Sequence, residues 1–237
     1  MPAFALYYVP DADTPFYTAG AQILGYDVWT GEFLSTDNPA RTCFESFDAA
    51  WPAEAQTFGF HMTITHALEF DSERLPEIER EIIAILNLFD LVAPFTLQPT
   101  DAWLRCDERD VVLYYHPNQA FMMFHAVCVA RLHPFGRSSP AYQRYLAGEL
   151  SHLRPAEQQR TRQYLHPDIL ENWFPHLALL RHHTGLSTEA TRTGVLKALP
   201  PPTPLTVERV CLLVRPDNET HYRVHRVFDR VDFPSGE

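Results

Sequence analysis

The sequence predicts an α+β protein, folded as one large domain or two small lobes, and three observations lead to that class. At 237 residues and 46% hydrophobic, the chain holds enough apolar material for a sizeable core. Apolar residues recur with period two in some segments and with the 3.6-residue period of a helix in others. A strand with a central histidine, then a helix, then two strands, occurs twice in the same order.

Phe4 to Val9 is an apolar and aromatic run stopped by Pro10, which reads as a buried strand. Gly20, Gly25, Gly31 and Pro39 interrupt the stretch from Pro15 to Pro52, so a short helix near Tyr17 to Leu24 and then a long surface excursion are expected. Phe58 to His66 alternates, with Phe60, Met62 and Ile64 on one face and His61, Thr63 and Thr65 on the other. Ser72 is a candidate N-cap for a helix carrying Leu75, Ile78, Ile82, Ile85, Leu86 and Phe89 at helical spacing. Phe95 to Cys106 and Val111 to Tyr115, parted by the charged turn Asp107 to Asp110, read as a hairpin.

The second half follows the same plan. A helix from Asn118 to Leu132 leads into a polar, arginine-rich helical section from Pro140 to Tyr164, then an apolar strand from Trp173 to Leu180. A helix near Thr188 to Leu199 and strands at Leu205 to Val214 and His221 to Arg230 complete the order, with Pro216-Asp217-Asn218 as the last turn. The chain therefore divides into residues 1–116, with the first histidine strand, and 117–237, with the second. No residue-level repeat accompanies the repeated order.

Composition removes several classes of function. A formal charge of −11 argues against tracking a long nucleic acid, which needs many Lys and Arg contacts to phosphates. Cys43, Cys106, Cys128 and Cys211 are far apart and form no CxxC pair, so reduced thiols and a cytoplasmic setting are expected rather than structural zinc. The N-terminal residues lack the basic start and apolar core of a signal peptide, and no window reaches the roughly 20 apolar residues of a membrane span.

The chemistry-bearing residues are His61, in His61-Met62-Thr63, and His176, in His176-Leu177-Ala178. Residues i and i+2 of a strand share a face, so His61 and Thr63 offer an imidazole and a hydroxyl to one ligand. Displacement at a phosphodiester needs a base for the attacking oxygen and an acid for the leaving oxygen, and two histidines fill both roles near neutral pH. A threonine hydroxyl can donate to a nonbridging oxygen where charge gathers.

On these motifs the chain resembles the two-histidine phosphoesterase superfamily, whose members carry two H-x-[ST] motifs. Ala178 stands where that pattern has the second hydroxyl residue. Phe4-Ala5-Leu6-Tyr7-Tyr8-Val9-Pro10, Leu24-Gly25-Tyr26-Asp27, Thr30-Gly31-Glu32, Gly59-Phe60-His61-Met62-Thr63 and Phe174-Pro175-His176-Leu177 are similar to the branch associated with bacterial phosphonate-metabolism operons. The resemblance implies a single bilobal domain over 1–237, with two pseudo-symmetric lobes whose antiparallel sheets face a central cleft and whose helices lie outside. It implies catalytic His61 and His176, substrate contacts from Thr63 and the Ala178 position, and no metal or other cofactor. The implied partner is a small cyclic or 2'-5' type phosphodiester of a nucleotide or sugar phosphate, acted on by a monomer. The alternative is a phosphate- or nucleotide-binding protein of the same fold with weakened turnover, for which Ala178 is the motive.

Two further residues are candidates for substrate contact. The resemblance points to Tyr7, where the similar branch has an aromatic residue, as either cleft lining or core, and to Arg137, in Pro134-Phe135-Gly136-Arg137 near an arginine of that branch, as either a phosphate grip or a solvated loop residue. Adjacent His182 and His183 invite a zinc reading, but the chain has no HExxH or comparable ligand set.

Overall fold

The computed structural model describes residues 1–89, 95–107, 110–181 and 188–229. The first strand, β1 (Ala3–Tyr8), is buried along its whole length. Helix α1 (Pro15–Leu24) starts where the Thr14 side chain accepts the Tyr17 N–H at 3.2 Å and Pro15 presets the first turn. It stops at Gly25, whose φ of +77° suits only glycine well. Arg41 Nε and Gln56 Nε2 then donate to the carbonyls of Ile23 and Leu24, the last-turn acceptors that the helix cannot satisfy itself.

Those bonds explain a departure from expectation. The segment after Gly25 is a surface excursion only in part: Thr30, Glu32 and Ser35 to Asp37 are exposed, but Tyr26, Val28, Ala40, Arg41, Phe44 and Trp51 are buried. It carries the short pair β2 (Tyr26–Asp27) and β3 (Glu32–Phe33), then helix α2 (Ala53–Gln56). Its burial follows no period, because irregular backbone folds over the end of α1.

The first histidine strand is shorter than its alternation suggests, with β4 confined to Met62–Thr63. The N–H groups of Ile64 and Thr65 both donate to Leu6 O, at 3.0 and 2.9 Å, which makes a bulge there. Thr65 accordingly leaves the polar face, is buried, and accepts the Leu6 N–H at 3.0 Å. Strand β5 (Leu68–Phe70) follows, then α3 (Leu75–Phe89), preceded by a 3-10 turn over Ser72–Arg74 in place of a simple Ser72 cap. Ile78, Ile82, Ile85 and Leu86 form the buried stripe of α3, each contributing about 1.5–3 kcal/mol. Strands β6 (Phe95–Leu97), β7 (Pro99–Cys106) and β8 (Asp110–Tyr115) come next, β7 and β8 pairing as the expected hairpin.

In the second half, Asn118 caps α4 (Gln119–Leu132), which packs on α3. Strand β9 (Gly136–Ser138) and helices α5 (Pro140–Leu146) and α6 (Pro155–Tyr164) lead to β10 (His176–Arg181). Helix α7 (Thr188–Ala198) and strands β11 (Leu205–Val207), β12 (Val210–Arg215) and β13 (Arg223–Phe228) complete the described elements. The protein is thus α+β, and every described strand pairing is antiparallel.

The main sheet runs β13-β12-β1-β4-β10-β8-β7, with β5 on the β1 edge and β9 on β5. The strands therefore do not sort by half. β1 pairs with β4 on one side and on the other with β12, itself paired with β13, from the far end of the chain, while β10 pairs with β8, itself paired with β7. A cut at residue 116 would part each histidine strand from a partner in the other half. The two groups of strands meet at β4 and β10 through one register pair, Met62 with Leu177. Among the described residues no helix is long and apolar enough to cross a membrane.

Candidate active site

Met62 and Leu177 are fully buried, so their side chains define the core face of the seam. His61, Thr63, His176 and Ala178 occupy the opposite face. Continuing the register by one residue sets His61 across from Ala178 and Thr63 across from His176. Directly opposed Cβ atoms lie about 4.5–5.5 Å apart and diagonal ones about 7–8 Å, and the two imidazoles are diagonal neighbours on one face. The same face carries Tyr7, paired with Thr63, and Tyr114, paired with His176. Tyr7, Thr63, His176 and Tyr114 thus form one cross-strand row, beside a second row of His61, Ala178 and Val112.

Both imidazoles are anchored in the same manner. His61 Nδ1–H donates to Gly59 O at 2.9 Å, and His176 Nδ1–H donates to Phe174 O at 2.7 Å. A carbonyl only accepts, so in the neutral ring the proton sits on Nδ1 and the lone pair on Nε2. The turn that aims the Gly59 carbonyl needs glycine twice over. Its φ is +72°, and a Cβ there would lie 2.5 Å from Val28 Cβ.

The surroundings of the rings differ. Tyr7 stacks on His61 with centroids 3.8 Å apart and planes 15° apart, and Thr63 Oγ1 lies 3.1 Å from His61 Nε2. Tyr114 meets His176 at 5.9 Å and 42°. Tyr7 is therefore both of the things it could be: it is only 3% exposed and it lines the site.

His61, Thr63, His176, Ala178 and Tyr7 open onto one cleft of about 550 Å³, a size suited to a small ligand. Beyond the Thr63 and His176 row, the cleft wall carries Arg144, His152 and a stacked pair, His66 on His166, with centroids 3.3 Å apart. His66 Nε2–H donates to Asp168 O, and the Asp168 N–H donates to His166 Nδ1. Glu54 and Asp110 supply carboxylates elsewhere on the wall.

Arg137 is not part of this cleft. It projects from β9, which among the described residues pairs with β5 alone, and its guanidinium pairs with Asp71 at 3.0 Å with 63% of the side chain exposed. Tyr114 was not singled out by sequence, because β8 is a continuous apolar and aromatic run, Val111 to Tyr115, which names no face. Among the described residues no group of three or more His, Cys, Asp or Glu is gathered as a metal ion would need. His182 and His183 lie outside the described residues. All four cysteines are free thiols, Cys128 and Cys211 buried and Cys43 and Cys106 half-buried.

No protein family matches the chain, and no curated protein matches it in sequence. Among solved structures it is similar to TT0787 of Thermus thermophilus, at 16% identity and a TM-score of 0.45, over 96% of this chain and 97% of that one. It is similar to E. coli LigT complexed with 3'-AMP at 14% identity and a TM-score of 0.41, over 96% and 97% of the two chains. A protein described as a phosphoesterase is similar at 16% identity and a TM-score of 0.42, over 95% and 96%. Likeness of this degree carries no chemistry, and the reading of the cleft rests on its own geometry.

Proposed function

We propose that the protein is a metal-independent phosphoesterase that hydrolyses or transesterifies a small cyclic or 2'-5' type phosphodiester of a nucleotide or sugar phosphate. The observation that carries this reading is the pair of imidazoles on one face of adjoining strands, both bonded through Nδ1 to the carbonyl two residues earlier. Each presents Nε2 as the working atom. One Nε2 takes the proton of the attacking oxygen as the new P–O bond forms, and the other, already protonated, gives its proton to the departing oxygen as the old P–O bond breaks. Thr63 Oγ–H, which lies against His61 Nε2, turns to a nonbridging oxygen when phosphate enters. Tyr7 keeps the His61 ring in plane by stacking.

Membership of the two-histidine superfamily, in its phosphonate-operon branch, belongs to the same proposal and is supported by the order of the sequence motifs. A cytoplasmic setting fits four free thiols. Ala178, flanked by Val112 in the row beside His61, favours a second reading in which the cleft binds phosphate or nucleotide with weak turnover.

The deciding experiment is a screen of 2',3'-cyclic nucleotides, 2'-5' oligonucleotides and cyclic sugar phosphates with EDTA present. Turnover of at least one class is expected. Tight binding without product would favour the second reading, and neither binding nor turnover would remove both.

A further inference from the structure

One residue pair joins β4 to β10, yet the spacing of His61 and His176 depends on that seam. A second set of contacts crosses it from the core side, and its centre is a histidine that the proposed chemistry does not use. His125, on α4, is completely buried. Its Nδ1–H donates to Ile64 O at 2.6 Å, just beyond β4. Its Nε2 accepts the Leu170 N–H at 3.0 Å, in the segment leading to β10. Carbonyl and amide fix both ring nitrogens, so the imidazole is the neutral Nδ1–H tautomer.

The ring also lies flat against Trp173, with centroids 4.2 Å apart and planes 8° apart. The Trp173 indole N–H donates to Thr63 O at 3.1 Å. Leu170 holds φ at +55°, a conformation unfavourable for leucine that persists only where surrounding bonds enforce it. Two side chains thus tie the strand of His61 and Thr63 to the segment that delivers His176. An apolar residue in place of His125 would leave the Ile64 carbonyl and the Leu170 N–H without this partner, stranding an acceptor and a donor at once.

We propose that His125, together with Trp173, is a positioning residue that sets the separation and relative orientation of His61 and His176. This rests on the reading of the cleft as a two-histidine site, where a shift of about 1 Å in a reacting group costs on the order of 100-fold.

The test uses the full chain and two variants, with assays run well below each melting temperature. His125→Phe keeps the ring stack and loses both hydrogen bonds; His125→Gln keeps one donor and one acceptor. Turnover of a 2',3'-cyclic nucleotide is measured with amide hydrogen exchange over residues 61–64 and 175–178. In His125→Phe, kcat is expected to fall about 10- to 100-fold with KM changed less than about threefold, and exchange across the seam to accelerate; His125→Gln should recover most of both. Wild-type kcat in a folded His125→Phe protein overturns the proposal, and so does a loss of kcat with unaltered exchange. If His125→Phe does not fold, Trp173→Phe, which loses only the bond to Thr63 O, is measured the same way. Should the wild type turn nothing over, the two-histidine reading fails by itself, while the exchange data still decide whether His125 holds the seam.

Discussion

The two histidine strands differ more in what surrounds them than in how they hold a proton. β4 is two residues long and bounded by a glycine turn and a bulge, whereas β10 is a six-residue strand paired along β8. Even so, His61 and His176 make the same Nδ1–H bond to the carbonyl two residues back. The tautomer is therefore a local property, set by three consecutive residues in either setting. Ring packing and hydroxyl supply are long-range properties, and they diverge: a close stack and Thr63 at His61, a tilted Tyr114 and Ala178 at His176. The two rings share one anchor at Nδ1 and differ in their support.

The most severe way to break that description is to remove each ring in turn. His61→Ala and His176→Ala should each lower kcat by about two to four orders of magnitude on a substrate the wild type turns over well. Wild-type rates in either variant would mean that only one histidine acts. Next in size is Thr63→Val, which removes the hydroxyl that one strand has and the other lacks. A loss of about 100-fold in kcat is expected, with the His61 ring still stacked on Tyr7. A loss smaller than about threefold would leave the difference between the strands without catalytic meaning.

The bridge common to both strands predicts an acid sensitivity. Burial holds His125 down to about 4, against 6.5 for an ordinary histidine. Above pH 6.5 the ring is neutral folded or unfolded, and its contribution is complete. Between 6.5 and about 4 only the unfolded chain takes up the proton, so stability falls with pH, by about 3 kcal/mol in all. Urea melts at pH 7, 5 and 4 should show this decline, and His125→Phe should lack that component. A flat difference between the two proteins over this range would contradict it.

Smaller again is the gain from making the strands alike. Ala178→Thr restores a donor beside His176 and should raise kcat by less than about tenfold, since a retrofitted donor is not preorganised. No gain at all would point to a water or another side chain at that position. The smallest expected effect is none: EDTA should leave turnover unchanged, and loss restored by a divalent ion would refute the metal-independent scheme.

Much of this was legible in the sequence, and the boundary is a physical one. Helix α3 announced itself through Ile78, Ile82, Ile85 and Leu86, because a helical stripe has a period. Alternation likewise placed His61 and Thr63 on one face. What sequence could not supply was the partner of a strand: alternation names a face but not a neighbour, so the exchange of β12, β13 and β10 between halves stayed hidden. Arg41 and Trp51 were lost for a related reason, as irregular backbone buries side chains without any period. His125 sits among Phe121, Phe124 and Cys128 on the core stripe of α4 and looks like one more packed residue. Arg137 could be read either way from sequence, as a phosphate grip or a solvated arginine, because its ion pair with Asp71 joins residues 66 positions apart.

The exchange of strands also bears on how the chain is made. Ala3 and Phe4 pair with Arg215 and Val214, so β1 leaves the ribosome long before its main partner exists. At roughly 5–20 residues per second, the interval is about 10–40 s. Throughout it β4 and β5 can cover only one edge of Ala-Phe-Ala-Leu-Tyr-Tyr, and the other edge of this uncharged, β-prone hexamer stays open to other copies of itself. Expression in the cold is therefore expected to raise the soluble fraction of the protein, because the last strands then close over the first before copies can pair.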